Sequence, residues 1–369
     1  MKAFGARTTG PRLERIRASP QWRDDRFANA LPTEPIAMLP TALEFMTGGS
    51  KHRIPQPPPP IQRRARHEFA APPADGWRCT WLGHSTVLVE LGGRRLLLDP
   101  IWGERVSPFR WAGPRRFHET PLPMSELPPI DAVLISHDHY DHLDYPTIVH
   151  FAGSAFSFPF IVPLGVGAHL ERWGVAPSRI VELDWWETRE LGPLAFTATP
   201  ARHFSGRSPT MADRDRTLWA GWAIASARHR LYFSGDGGMF PGFSEIGRRL
   251  GPFDATMMEV GAYNKRWRDI HNGPEQAVRA HQMVGGGVLI PVHWGTFDLA
   301  LHGWTEPLER TLVAAAARGV TIATPRPGAT VEPSTVERLV RWWPELPWQP
   351  AEEAPVVSSG LEGLLELPA

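Results

Sequence analysis

Four metal-ligating side chains stand within six residues in the stretch Ser136-His137-Asp138-His139-Tyr140-Asp141-His142. Few folds can put such a stretch to use. The run before it, Ile130-Asp131-Ala132-Val133-Leu134-Ile135, has the length and apolar character of a strand and ends where the histidines begin. In an extended segment, residues two apart point the same way, so His137 and His139 can face one point. Asp141 and His142 follow where the chain must turn towards Leu143-Asp144-Tyr145-Pro146, and they can face a second point close to the first. Imidazole and carboxylate together suit zinc and related borderline metals.

The surrounding pattern is that of an α/β layered fold. Thr80 to Leu91 alternates, Gly92-Gly93 signals a tight turn, and Arg94 to Asp99 returns, which predicts an opening hairpin. After the histidine stretch, Leu143 to Phe151 reads as a helix, Phe160 to Pro163 as a strand, Gly165 to Trp173 as a helix and Val181 to Trp186 as a strand or strand end. The alternation continues to Ala323. Two later helices carry clear punctuation. One opens at Gly273-Pro274-Glu275 and ends at Gly285; the other opens at Thr305-Glu306-Pro307 and stops at Gly319.

We expect the folded domain to span 76–345. Residues 1–75, rich in Pro and Arg and ending in Pro57-Pro58-Pro59-Pro60, read as an extended basic arm. Such an arm either wraps the domain or is drawn to anionic lipid headgroups, with Leu39 to Met46 as a short apolar anchor. Residues 346–369, rich in Pro and Glu, read as a surface tail. The loop 100–129 precedes the histidine strand and is placed to wall a site. Its Arg115 and Arg116 could meet a phosphate.

Composition narrows the function classes. A formal net charge of zero argues against a nucleic-acid binder. The single cysteine, Cys79, excludes a disulfide framework and a Cys-rich zinc site, and its alternating surroundings predict a buried strand position. No run approaches the roughly 20 apolar residues of a membrane-spanning helix, and the first residues lack the apolar core of a signal peptide. The expectation is a cytoplasmic protein, or one peripheral at the cytoplasmic face of a membrane. The oligomeric state stays open, a homodimer included.

The pattern His-x-His-x-Asp-His resembles the binuclear signature of the metallo-β-lactamase superfamily. That resemblance implies three further ligands at the ends of later strands. His203 follows the apolar run 194–200, Asp236 follows 230–235 and His293 follows 287–292. Between about Trp81 and Phe297 the chain is similar, more narrowly, to the N-acylphosphatidylethanolamine-hydrolysing phospholipase D family and its bacterial relatives. Glu182-Leu183-Asp184-Trp185-Trp186-Glu187 and His293-Trp294-Gly295-Thr296-Phe297 carry most of that likeness.

The resemblance implies an αββα metallo-β-lactamase sandwich holding two zinc ions at its edge. It assigns His137, His139 and His203 to one ion, Asp141, His142 and His293 to the other, and Asp236 to both. It implies that a hydroxide bridging the ions attacks the phosphorus of an N-acylphosphatidylethanolamine-type phospholipid or another phosphodiester. Asp141, Asp236 and His271 would be the catalytic residues, with His271 beside the phosphate. Gly237 stands where that family commonly has threonine, and Ile270 where the mammalian enzyme has a polar residue. His84 and Asp99 either orient ligands or cap strand ends. The remaining histidines at 118, 150, 169, 229, 281 and 302 lack a strand-end context and are expected to be structural. The same metals would equally serve an acyl hydrolase opening a lactone, lactam or thioester. A membrane-associated metal-binding protein without catalysis is a third class, disfavoured because structural zinc sites are usually closed sets of four ligands.

Overall fold

In the computed structural model, which describes residues 2–35, 38–338 and 341–361, the chain opens with helix α1 (Gly10–Arg17), strands β1 (Trp22–Arg23) and β2 (Arg26–Phe27), and helix α2 (Met38–Thr47). Next come β3 (Trp77–Gly83), β4 (Thr86–Leu91), β5 (Arg94–Leu98), β6 (Ala132–Leu134), α3 (Tyr145–Ala152), β7 (Phe160–Pro163), α4 (Val166–Arg172) and β8 (Ile180–Leu183). The second half runs through β9 (Thr188–Leu191), β10 (Leu194–Thr199), β11 (Gly221–Ala225), β12 (Arg230–Phe233), α5 (Gly242–Leu250), β13 (Phe253–Glu259), α6 (Pro274–Met283), β14 (Gly286–Val292), α7 (Glu306–Ala317) and β15 (Thr321–Ile322). Strand β16 (Thr330–Val331) then returns to pair with β3.

These strands form two seven-stranded sheets, ordered β16-β3-β4-β5-β6-β7-β8 and β15-β14-β13-β12-β11-β10-β9. In each, hairpin-linked antiparallel strands give way to parallel ones, from β5 to β8 and from β12 to β15. Parallel neighbours need crossover connections, which the helices supply. Side-chain alternation builds the layers. Leu96 and Leu98 of β5 face the interior between the sheets, while Leu97 faces outwards to α3 and α4 through Ile148, Phe151, Val166 and Leu170. Leu231 and Phe233 of β12 meet the same central interior, and Tyr232 faces α5 and α6 through Phe243, Ile246 and Val278. Both faces of both sheets are covered, and the product is the αββα sandwich. Cys79 lies in the central layer.

Residues 1–75 depart from the extended arm that their composition predicts. Pro11 sits in the first turn of α1, where its missing N–H costs nothing. The segment also lies along the domain, held by ion pairs remote in sequence. Arg12 meets Glu171 and Glu182, each at 2.6 Å, Arg15 meets Glu187, Arg53 meets Asp298 and Arg63 meets Glu119. Arg12, Arg15, Arg53 and Arg63, of the arm's twelve Lys and Arg residues, are thus matched by the domain's own carboxylates. The C-terminal segment is also docked. Val356 and Leu361 are buried, and Ser359 bonds Asp269. Residues 362–369 of the expected tail lie outside the described residues. Among the described residues, no helix is long and apolar enough to cross a membrane.

Candidate metal centre

The site forms where strand ends from both sheets meet. His137, His139, Asp141 and His142 follow β6 of the first sheet, and α3 closes their loop. Asp144 caps that helix by accepting from the Thr147 N–H. His84 follows β3. From the second sheet, His203 follows β10, Asp236 follows β12 and His293 follows β14. The seven residues assigned as ligands by resemblance thus come together.

Their donors form interlocking groups. His137 Nε2 lies 2.9 Å from His139 Nδ1, and His203 Nε2 lies 3.2 Å from the same atom. Asp141 Oδ2 lies 3.1 Å from His84 Nε2, 3.3 Å from His293 Nε2 and 3.5 Å from His142 Nε2. Asp236 Oδ2 stands between these groups, 3.0 Å from both His142 Nε2 and His293 Nε2 and 3.9 Å from His137 Nε2. Within each of these groups the ligand atoms all lie within 4.8 Å of one another. His139, Asp141, Phe204 and His271 are partly exposed and mark the open side.

The arrangement fits cations better than hydrogen bonds. His142 Nε2, Asp236 Oδ1 and both ring nitrogens of His293 are buried without a hydrogen-bond partner. Buried polar atoms are rarely left so, and a metal ion is a group that would satisfy these. Two of the outer nitrogens are already fixed. His203 Nδ1 donates to the Ile270 carbonyl at 2.8 Å, and His142 Nδ1 lies 2.7 Å from Asp99 Oδ2. Each bond turns the Nε2 lone pair inward, as ligand-supporting groups do. Asp99 also accepts from the Ser136 N–H at 2.7 Å and from its hydroxyl.

The electrostatics divide the histidines into two sets. Burial, reinforced by neighbouring imidazoles, pushes His137 and His203 well below the usual histidine value and His84 down to about 3. Burial acts the same way on His142 and His293. There, however, the carboxylates of Asp236 and Asp141 overrule it, raising His142 and taking His293 to about 10. Burial would raise Asp236, but His142 and His293 hold it well below the carboxylate range. Backbone strain gathers here too. His84, Asp99 and His293 have φ of 52°, 37° and 63°, left-handed values that non-glycine residues hold only where the surroundings enforce them.

The other residues singled out from sequence fall in different places. His271 joins the site, with Nδ1 3.8 Å from Asp236 Oδ2. Arg115 does not; it pairs on the surface with Glu104 at 2.6 Å. Arg116 turns inward to the Ile101 carbonyl at 2.8 Å and lies over the Phe297 ring, bracing the 100–129 loop. The loop pairs with itself only at the bridge between Arg105 and Arg115, so carbonyls such as that of Ile101 need other donors, and Arg116 is near enough to serve.

Three supporting residues escaped the sequence reading. Asn29, in the arm, donates to the His203 carbonyl at 2.7 Å and accepts from the His203 N–H at 3.0 Å. Asp138, between the first two histidines, accepts from the Gly206 N–H and the Thr217 hydroxyl, each at 2.9 Å. Glu259 ends β13 and is fully buried beside His271. Only Glu259 offered a signal, a carboxylate closing an apolar strand as Asp236 follows one.

Comparison with known proteins agrees with this architecture. Residues 94–294 match the family described as the beta-lactamase superfamily domain. An uncharacterised protein of Mycobacterium tuberculosis is 46% identical over 330 residues, 88% of this chain and 87% of that protein. The N-acyl-phosphatidylethanolamine-hydrolyzing phospholipase D 1 of Caenorhabditis elegans is 37% identical over 241 residues, 63% of this chain and 66% of that protein. A metallo hydrolase from the archaeon Ignicoccus hospitalis shares the fold, with a TM-score of 0.53 at 22% identity over 69% of this chain and 97% of its own. With the matched segment running from β5 past His293, the chain belongs to the metallo-β-lactamase superfamily, as a metal-dependent hydrolase related to the N-acylphosphatidylethanolamine-hydrolysing phospholipases D.

Proposed function

We propose that the protein is a zinc-dependent phosphodiesterase of the phospholipase D type, acting on an N-acylphosphatidylethanolamine-like phospholipid. The observation that carries this reading is the pair of three-residue donor groups flanking Asp236, with an unengaged imidazole nitrogen, His271 Nε2, beside them. The likeness to the worm phospholipase supports the substrate class.

His137, His139 and His203 would hold one ion, Asp141, His142 and His293 the other, and Asp236 both. Two such ions would supply a water activated at neutral pH and positive charge beside the phosphoryl oxygens. The chain's own residues do the rest. Asp99 and the Ile270 carbonyl keep His142 and His203 turned inward. His84 steadies Asp141 at 3.1 Å. His271 meets the substrate at the open side, where it hydrogen-bonds a phosphoryl oxygen or protonates the leaving alkoxide. Phe45, Phe204, Trp267 and Ile270 form an apolar cluster next to His139 and His203, which suits a substrate carrying acyl chains and peripheral contact with a lipid surface.

The test is a hydrolysis screen of purified protein over phospholipid diesters, lactones and lactams, with and without chelator. Chelator-sensitive release of phosphatidic acid is expected. Lactone or lactam opening with no diester cleavage would replace this reading with an acyl hydrolase of the same fold.

A further inference from the structure

Strand β13 lies between β12 and β14, whose ends lead into Asp236 and His293. Its own last residue, Glu259, carries a carboxylate with no exposed surface. A buried carboxylate is costly unless its lone pairs are answered. Two backbone donors answer one oxygen. Oε1 accepts from the Gly237 N–H at 2.6 Å and from the Asn272 N–H at 3.2 Å. These donors are fixed by the main chain, so Oε1 must be the acceptor and Oε2 is left for a single partner. That partner is His271 Nδ1, at 2.9 Å. The His271 ring stands 5.3 Å from the His203 ring and 5.2 Å from the His293 ring, with its side chain 13% exposed.

We propose that Glu259 is a positioning residue that fixes the orientation and tautomer of His271, holding a proton on Nδ1 and presenting Nε2 to the substrate. The kinetic part rests on the phosphodiesterase reading above; the tautomer does not. Burial raises the Glu259 carboxyl, with the His271 ring opposing the rise, and the two backbone N–H donors on Oε1 favour the ionised form. Ionised, it can only accept, so the neutral ring carries its hydrogen on Nδ1 and leaves Nε2 bare. As a water oxygen bonds to phosphorus and the bond to the leaving oxygen breaks, its electron pair staying on that oxygen, a proton carried on Nε2 passes to it and the neutral ring is left with its hydrogen on Nδ1. The anchor on Gly237 ties this geometry to the residue after Asp236, so the proton carrier and the bridging carboxylate share one support. Glu259 itself lies within ligand distance of Asp236, His271 and His293. A role as a further metal ligand is therefore the rival that the test must separate.

The test uses the full-length protein labelled with ¹⁵N-histidine. Long-range ¹H–¹⁵N spectra report which nitrogen of each ring is protonated, and the signals missing from His271→Gln identify this ring. Wild-type protein should show His271 protonated on Nδ1, and protonation on Nε2 would overturn the proposal without recourse to any Glu259 variant. In Glu259→Gln the two backbone donors still claim the amide oxygen, so the amide nitrogen faces Nδ1 and donates to it. His271 should switch to the Nε2-protonated form while metal content stays at the wild-type value. A matching loss of metal would assign Glu259 to the ligand set instead. With a phosphodiester bearing a poor leaving group, kcat should fall about 10²-fold at unchanged KM. Adding Glu259→Gln to His271→Gln should cost nothing further, because the two act as one unit; losses that multiply would overturn the proposal. If no phosphodiester is cleaved, the functional reading fails and the spectra alone decide the tautomer.

Discussion

The tie between the N-terminal arm and His203 gives the sharpest test of how this site is held. Asn29→Ala removes a donor to the His203 carbonyl at 2.7 Å and an acceptor for its N–H at 3.0 Å. Trp219 Nε1 also loses its 3.1 Å bond to Asn29 but keeps one at 3.0 Å to the Ala201 carbonyl, so its loss is partial. His203 is 1% exposed, and water cannot simply replace the missing partners. At about 1–3 kcal/mol for each of the two buried groups left unmet, the variant should lose about 2–6 kcal/mol of stability. His203 is also freed to tilt, and loss of a group supporting a ligand typically costs about 10–100-fold in metal affinity. Denaturant unfolding of chelator-stripped protein measures the first quantity, and competition with a chromophoric chelator the second. Asn29→Asp keeps the Oδ1 that accepts from the His203 N–H and Trp219 Nε1 but sets a second oxygen against the His203 carbonyl, so it should also fall below wild type. Wild-type stability and affinity in Asn29→Ala would refute the idea that the arm holds the metal centre.

Asp236→Ala should lose more metal than any single histidine variant, because its carboxylate approaches both donor groups; elemental analysis after dialysis decides this. Metal uptake at pH 7 should release protons. Burial works against charge on His142 and His293, but the neighbouring carboxylates overrule it and hold both protonated, His293 up to about 10. Ligands must be deprotonated, so affinity should rise with pH towards that value and weaken as pH falls. Calorimetry in buffers of different ionisation enthalpy measures the release, and zero release would refute the assignment. Gly261→Ala should abolish metal binding or folding, because its Cβ would sit 2.0 Å from the His293 carbonyl oxygen, a backbone overlap that no rotamer relieves. A soluble, metal-loaded Gly261→Ala protein would show that the backbone there can move.

How much of this could be read in advance follows from sequence distance. The stretch from His137 to His142 is local, and each later candidate follows an apolar strand, so one motif and its resemblance pointed to seven residues that the fold brings together. Glu259 was missed because a lone acidic residue after Met257-Met258 reads as the exposed end of a strand; only packing against α6's approach and Gly237 reveals what it answers. The arm's contacts stayed hidden for a related reason. Prolines and arginines describe local stiffness and charge, whereas Arg12 and Asn29 act on partners more than 150 residues away. Arg115 and Arg116 looked alike in sequence, yet one found a surface carboxylate and the other a buried carbonyl.

That the donors come from both sheets bears on how a newly made chain acquires its ions. His137, His139, Asp141 and His142 leave the ribosome as a ready chelating cluster, while His293 follows about 150 residues later. At about 5–20 residues per second, the interval is roughly 8–30 s. Until then an ion caught by the early cluster would lack the full donor set of the second sheet, and its partial shell would leave it free to exchange with whichever metal is most abundant. Selection among metals would thus wait until β14 docks and brings the candidate donors of both sheets together. The folded sandwich, and not the first encounter, would then decide which ions are kept.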